Sequence, residues 1–167
     1  LSGTDYTNNL TFSRIRYQKG AVLSHYAGDT FYMSEYVDAA GTTWTVRDVQ
    51  PSIDFVNRRL LIGCRTTDMR HNVIYDLDAV LALGKETVEI TRTWGGETAA
   101  EGVTEKKTET TSVEVRNLNR LTPLGSFRLP SYLNTGQTHQ VYSYSHQGQA
   151  VWGDYVYWYE GQAIQQT

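Results

Sequence analysis

The stretch that decides the fold is residues 153–160, Gly-Asp-Tyr-Val-Tyr-Trp-Tyr-Glu, which is matched by residues 28–35, Gly-Asp-Thr-Phe-Tyr-Met-Ser-Glu. Both stretches follow the pattern Gly-Asp-x-x-Tyr-x-x-Glu. Upstream of each copy, residues 18–22 (Gln-Lys-Gly-Ala-Val) are similar to residues 147–151 (Gln-Gly-Gln-Ala-Val). A Gly-Asp pair suits a tight turn, and alternating aromatic residues suit a strand with one buried face. Each copy therefore predicts a β-hairpin with its turn at the Gly-Asp pair.

A related but weaker unit lies between the copies, because residues 53–63 also have the pattern strand, polar turn, strand. One hairpin cannot bury its apolar face alone, whereas copies stacked around an axis can. We therefore expect an all-β fold of propeller-like antiparallel blades, with a β-sandwich or jelly roll as the alternative. The spacing corresponds to about two and a half blades, and a closed propeller needs about four or more. Residues 1–167 are thus expected to form a single all-β domain or a fragment of a larger propeller.

The composition supports a β-fold with a packed core. The chain has 167 residues, of which 40% are hydrophobic, 12 are tyrosine and only 3 are proline. The one helical pattern, residues 76–83, is short and is followed by Gly84, which we expect to cap it. Cys64 is the single cysteine, which excludes an intrachain disulfide and indicates a buried packing residue. The chain begins at Leu1 without a signal-peptide pattern, so we expect it to be processed, recombinant or cut from something longer.

Residues 145–161 resemble blade openings in a group of extracellular five-bladed propellers. This group includes the receptor-binding heads of phages that infect Gram-positive bacteria, teichoic-acid-related surface proteins and helveticin-type bacteriocins. Members carry a Gln-Gly, a small or apolar pair, and then Gly-Asp before a strand with tyrosine. The resemblance implies a non-enzymatic, lectin-like module at the cell exterior or on a virion surface, which binds a bacterial cell-wall glycan. A bacteriocin would share that binding step and add killing.

Aromatic and polar residues crowd the same C-terminal region. Sugar C–H faces stack on Trp and Tyr rings, and sugar hydroxyls pair with Gln, His and Asp. The predicted ligand-binding residues are Trp158, Trp152, Tyr157, Tyr144, His146, Gln147 and Asp154. Because side chains alternate along a strand, Tyr155 and Tyr157 share one face and Trp158 lies on the other, so only one set can be widely exposed. The alternative is that these rings fill the core.

No catalytic residue, metal ligand or cofactor is expected. Glu35 and Glu160 hold equivalent positions in the repeat and are the acid pair that a glycan-cleaving hydrolase or lyase would use, which keeps an enzyme as an alternative. His139 and His146 are seven residues apart, which places them on opposite faces of a strand and disfavours a shared metal.

The charge and hydropathy of the chain limit its partners. The net charge is −3, and no apolar run reaches the ~20 residues that cross a bilayer. The arginines at 58, 59, 65 and 70 make only a small basic patch. We therefore expect no nucleic acid and no membrane insertion. The expected partners are a cell-surface glycan and further copies of the chain or a larger virion or surface assembly, in which a purely structural tail component is the third alternative.

Overall fold

A computed structural model describes residues 10–17, 19–20, 28–66, 69–94, 98–99, 102–103, 107–130 and 145–161. Most of these residues lie in β-strands, which confirms the all-β class. Besides the strands, the described ranges hold one helix, α1 (Leu77–Ala82), and a 3-10 turn at Leu118–Arg120. Neither is long and apolar enough to cross a membrane, and these ranges contain no other helix.

Two four-stranded sheets make up most of the fold. The first is mixed, because its two middle strands run parallel to each other while the outer pairings are antiparallel; its spatial order is β1 (Leu10–Arg14), β2 (Asp29–Met33), β11 (Lys107–Asn117), β8 (Glu86–Trp94). The second is wholly antiparallel, in the order β12 (Gly125–Pro130), β7 (Met69–Asp76), β6 (Arg59–Arg65), β5 (Arg47–Asp54).

Three two-stranded ribbons complete the described strands. They are β3 (Tyr36–Val37) with β4 (Thr43–Trp44), β9 (Thr98–Ala99) with β10 (Gly102–Val103), and β13 (Ser145–Trp152) with β14 (Tyr155–Gly161).

One apolar core joins the two large sheets. Phe31 and Met33 from β2 belong to the same buried cluster as Ile62 from β6 and Val73 from β7. Cys64 is fully buried in this cluster, which confirms its predicted packing role. A smaller cluster around Tyr32, Ile90 and Val115 covers the other face of the mixed sheet.

The predicted short helix is confirmed, but its end differs from the prediction. Asp76 caps the N-terminus by accepting a hydrogen bond from the backbone N–H of Ala79 at 2.8 Å. The helix ends through a bond from the Leu83 N–H to the Val80 carbonyl at 3.3 Å, and Leu83 is extended. Gly84 is therefore not the capping residue that we expected.

The middle hairpin of the sequence is also confirmed. Strands β5 and β6 pair antiparallel through a turn at residues 55–58, in which Arg58 has a positive φ of 52°. Pro51 lies inside β5. This position is compatible with proline because β5 is the last strand of its sheet.

The two copies of the sequence repeat are not structurally equivalent. Gly153 and Asp154 form the predicted two-residue turn between β13 and β14, with a φ of 60° at Gly153. Asp29, in contrast, is already paired with Arg14 in β1, and β11 occupies the other edge of β2. The predicted turn at the Gly28–Asp29 pair is therefore wrong, because Asp29 already lies in β2, and residues 21–27 before it lie outside the described residues.

Burial separates the two copies further. Phe31 and Tyr32 are 3% and 6% exposed, whereas Val156 and Tyr157, at the same positions of the second copy, are 38% and 51% exposed. The repeat therefore reflects similar local sequence in two different environments. It gives no support to successive blades around an axis, and the propeller expectation is not confirmed.

Candidate functional site

The predicted ligand-binding residues cluster on the β13–β14 hairpin as far as the structure describes them. Trp152, Asp154 and Tyr157 are fully described and exposed. His146 and Gln147 lie in β13 and Trp158 lies in β14. Tyr144 lies outside the described residues.

One face of the hairpin carries three exposed aromatic rings. Trp152 pairs in register with Tyr155, and Ala150 pairs with Tyr157. Paired residues and residues two apart share a face, so the rings of Trp152, Tyr155 and Tyr157 lie side by side. Their exposed fractions are 58%, 70% and 51%. We call these three residues the aromatic face. The prediction omitted Tyr155, although its spacing from Tyr157 was the signal that could have found it.

The opposite face of the hairpin docks on the antiparallel sheet. The backbone N–H of Val151 donates to Ser52 Oγ on β5 at 3.1 Å, and Gln149 Nε2 approaches the Gln50 carbonyl at 3.5 Å. The Gln149 side chain lies over Gly63, where a Cβ atom would collide with its amide group. A side chain at position 63 would therefore require the Gln149 amide group to move from its place over β6.

The docked surface is polar and incompletely hydrogen-bonded. Asn72 is fully buried, and neither its Oδ1 nor its Nδ2 has a hydrogen-bond partner among the described residues. The Oε1 atoms of Gln50 and Gln149 are also buried without a hydrogen-bond partner among the described residues. Unpaired buried polar atoms weaken an interface. The hairpin is therefore held less firmly than the strands of the apolar core.

Asp54 ties the tip of the hairpin to the β5–β6 turn. Its buried carboxylate accepts hydrogen bonds from the backbone N–H groups of Val56 and Asn57, from the Asn57 side chain at 2.9 Å, and from the backbone of Gly153. Burial alone would raise the pKa of Asp54. The hydrogen bonds outweigh burial and hold that pKa below its usual value.

The hydrogen bonds of Asp54 bring two exposed apolar segments together. The β5–β6 turn exposes Phe55 and Val56, Ile53 just before it is also exposed, and the hairpin exposes Val156 beside the aromatic face. Seven of the nine large apolar side chains that are exposed in the described residues belong to these two segments. Such a concentration marks a surface for contact with another molecule.

The other candidate residues do not assemble into chemistry in the described ranges. The Ser34–Glu35 bend is held by Asn119, whose Oδ1 accepts from the Ser34 N–H at 2.8 Å. The side chain of Glu160, the other member of the predicted acid pair, is not described. No group of three His, Cys, Asp or Glu side chains within the described part of the chain could hold a metal ion.

The arginines of the predicted basic patch fall into two pairs at opposite ends of β6, with Arg58 and Arg59 at its start and Arg65 opposite Arg70 at its end. Arg58 pairs with Asp78, while Arg70 on β7 is buried. These positions do not form the exposed basic stripe that would follow a nucleic-acid backbone.

No protein-family model matches the chain, and no curated protein or solved structure is significantly similar to it. The structure defines the chain as an all-β protein with an exposed aromatic face on a docked hairpin. Function has to be argued from those side chains.

Proposed function

We propose that the chain is a non-enzymatic carbohydrate-binding module that recognises a bacterial surface glycan through the aromatic face. The observation that carries this proposal is the alignment of Trp152, Tyr155 and Tyr157 on one exposed side of the hairpin. Exposed rings of this kind provide the flat apolar surface on which sugar C–H groups stack, and each also carries an N–H or O–H that can bond a hydroxyl.

The neighbourhood of the rings adds to this fit. Asp154 is exposed at the turn between Trp152 and Tyr155, where its carboxylate can accept hydrogen bonds from sugar hydroxyls. Gly153, the other turn residue, donates a backbone hydrogen bond to Asp54, which restricts the motion of the turn before a ligand binds. A fixed site loses less conformational entropy on binding. An extracellular or virion-surface location belongs to this proposal.

The test starts from an array of bacterial cell-wall glycans and continues with calorimetry on the glycans that bind. We expect Trp152→Ala and Tyr157→Ala each to weaken binding by about 1 kcal/mol, roughly fivefold, since one stacking contact is lost in each. Tyr17→Ala is the control, because Tyr17 is an even more exposed tyrosine outside the hairpin. Equal losses in all three variants, or none, would refute the proposal. A reducing-end assay that detects product would favour the hydrolase alternative instead.

A second candidate function is assembly with other copies or with a virion component. It is favoured by Ile53, Phe55 and Val56, whose aliphatic and unsubstituted aromatic surfaces suit a protein contact better than a sugar. Light scattering separates the two functions. Assembly through this surface predicts an oligomer that Phe55→Ser dissociates, whereas a monomer at high concentration contradicts it.

A further inference from the structure

A basic cleft lies at the point where β1 ends and β2 begins, on a part of the fold separate from the hairpin. Its volume is about 490 Å³. The cleft is lined by Arg14, Ile15, Arg16, Gly28, Asp29 and Lys85.

The charges at this cleft do not cancel. Asp29 forms an ion pair with Arg14, and its carboxylate also lies 3.9 Å from Lys85 Nζ and 3.7 Å from Arg116 Nη2. Glu114 binds Lys85 at 2.6 Å. Among the described residues, four cationic side chains thus face two carboxylates, which leaves a surplus of two positive charges on a chain whose net charge is −3. The hydrogen bond from Arg14 and the nearby cations hold the pKa of Asp29 below its usual value, so Asp29 is counted as charged.

Three of the four cations can reach a ligand. Arg16 is exposed and forms no ion pair or hydrogen bond with any residue in the described ranges. The side chains of Arg14 and Lys85 are about half exposed, at 50% and 45%. Arg116 is mostly covered and donates to the Leu83 carbonyl, so its part is to add charge and to hold the cleft in shape.

We propose that this cleft binds a phosphate group. A dianionic phosphate matches the surplus of two charges, whereas a carboxylate compensates only half of it. The guanidinium groups of Arg14 and Arg16 offer the paired N–H donors that match phosphate oxygens, and Lys85 supplies a point charge. The proposal is independent of the aromatic face, since the two sites share no residue.

Calorimetric titration with inorganic phosphate tests the proposal, in chloride of matched ionic strength and at a pH where phosphate is dianionic. We expect saturable binding that Arg16→Gln weakens about tenfold, the factor carried by one charge-assisted hydrogen bond. Arg16→Gln breaks no contact within the described residues, so folding should not change. Arg58→Gln is the control, because it removes the same charge at the β5–β6 turn, and it should leave phosphate binding unchanged.

Two results would overturn the proposal: heat no larger than that of added chloride, or equal weakening by Arg16→Gln and Arg58→Gln. Trp152→Ala keeps the test separate from the proposed glycan function, because it should leave phosphate affinity intact. Glucose 6-phosphate distinguishes the source of the group. Tighter binding than that of inorganic phosphate supports a phosphate carried on a larger ligand, and equal binding supports the free ion.

Discussion

Gly63→Val offers a direct test of how the hairpin is held. In wild type the Gln149 side chain lies over Gly63, and an added Cβ would also come within 3.1 Å of Asn72 Oδ1. Valine cannot be accommodated there unless the hairpin or its glutamine moves. Overpacking of a close contact costs about 1–3 kcal/mol. We expect this cost to appear as undocking of the hairpin.

The sheet itself should not lose stability. Gly63 lies within β6, has no positive φ and pairs with Gln50 and Asn72, so valine fits its backbone. The β-propensity of valine exceeds that of glycine by up to ~1 kcal/mol. The substitution therefore separates hairpin docking from the folding of the sheet beneath it.

Amide hydrogen exchange at Val151 is the assay, because its N–H donates to Ser52 Oγ on β5 and thus reports docking. An opening made easier by 1–3 kcal/mol accelerates exchange about 5–150-fold. Amides of Ile62 and Val73 in the core should keep their protection. Gly125→Val is the control, since Gly125 is also in a strand of this sheet and has open space at its Cβ position. Unchanged exchange at Val151 in a folded Gly63→Val protein would contradict the prediction that the close contact at Gly63 controls docking of the hairpin.

Two further predictions concern buried polar groups. The pKa of Asp54 is lowered in the folded state, so its carboxylate stabilises the fold above about pH 4, and this contribution is lost as the pH falls through the lowered pKa. The amide proton of Gly153 should therefore titrate in NMR spectra with a midpoint below 3.8, and a midpoint above that value would contradict the tie. The hydroxyl of Tyr36 is buried, burial raises its pKa, and it has no hydrogen-bond partner among the described residues. Tyr36→Phe should leave the free energy of unfolding in urea unchanged or higher, and a loss of more than about 1 kcal/mol would show a missed hydrogen bond.

Local signals account for the parts of the fold that the sequence predicted. The turn at Gly153 and Asp154 needs only a positive φ and two flanking alternating strands, all of which are visible within a few residues. The helix at 77–82 likewise depends on the Asp76 cap and two buried apolar residues. Such features form from neighbours in sequence, so a single sequence predicts them.

Non-local pairing explains the prediction that was wrong. The Gly-Asp pair at residues 28–29 has the same local signal, but β2 pairs with β1 on one side and runs parallel to Arg116 and Asn117 on the other. No pattern within either strand predicts the parallel pairing of β2 with β11, because the two strands are far apart in the chain. The two copies are therefore alike in sequence but not in structure, because their strands have different pairing partners.

The candidate site shows the same division. Trp152, Asp154 and Tyr157 were predicted from composition and alternation, and the structure places all three at the exposed hairpin. The role of Gly63 and the exposed Phe55 beside the hairpin were missed. Both depend on how the hairpin meets a sheet that is almost a hundred residues earlier in the chain, as the Val151–Ser52 contact shows.

Ligand-observed NMR with a cell-wall glycan that binds in the array tests the central claim most directly. Rings stacked on a sugar shift its C–H protons upfield and transfer saturation to that face. We predict both effects with the wild-type protein and their loss in the Trp152→Ala, Tyr157→Ala double variant. Sugar signals that are unaffected by the wild-type protein, or equally affected by the double variant, would contradict binding at the aromatic face.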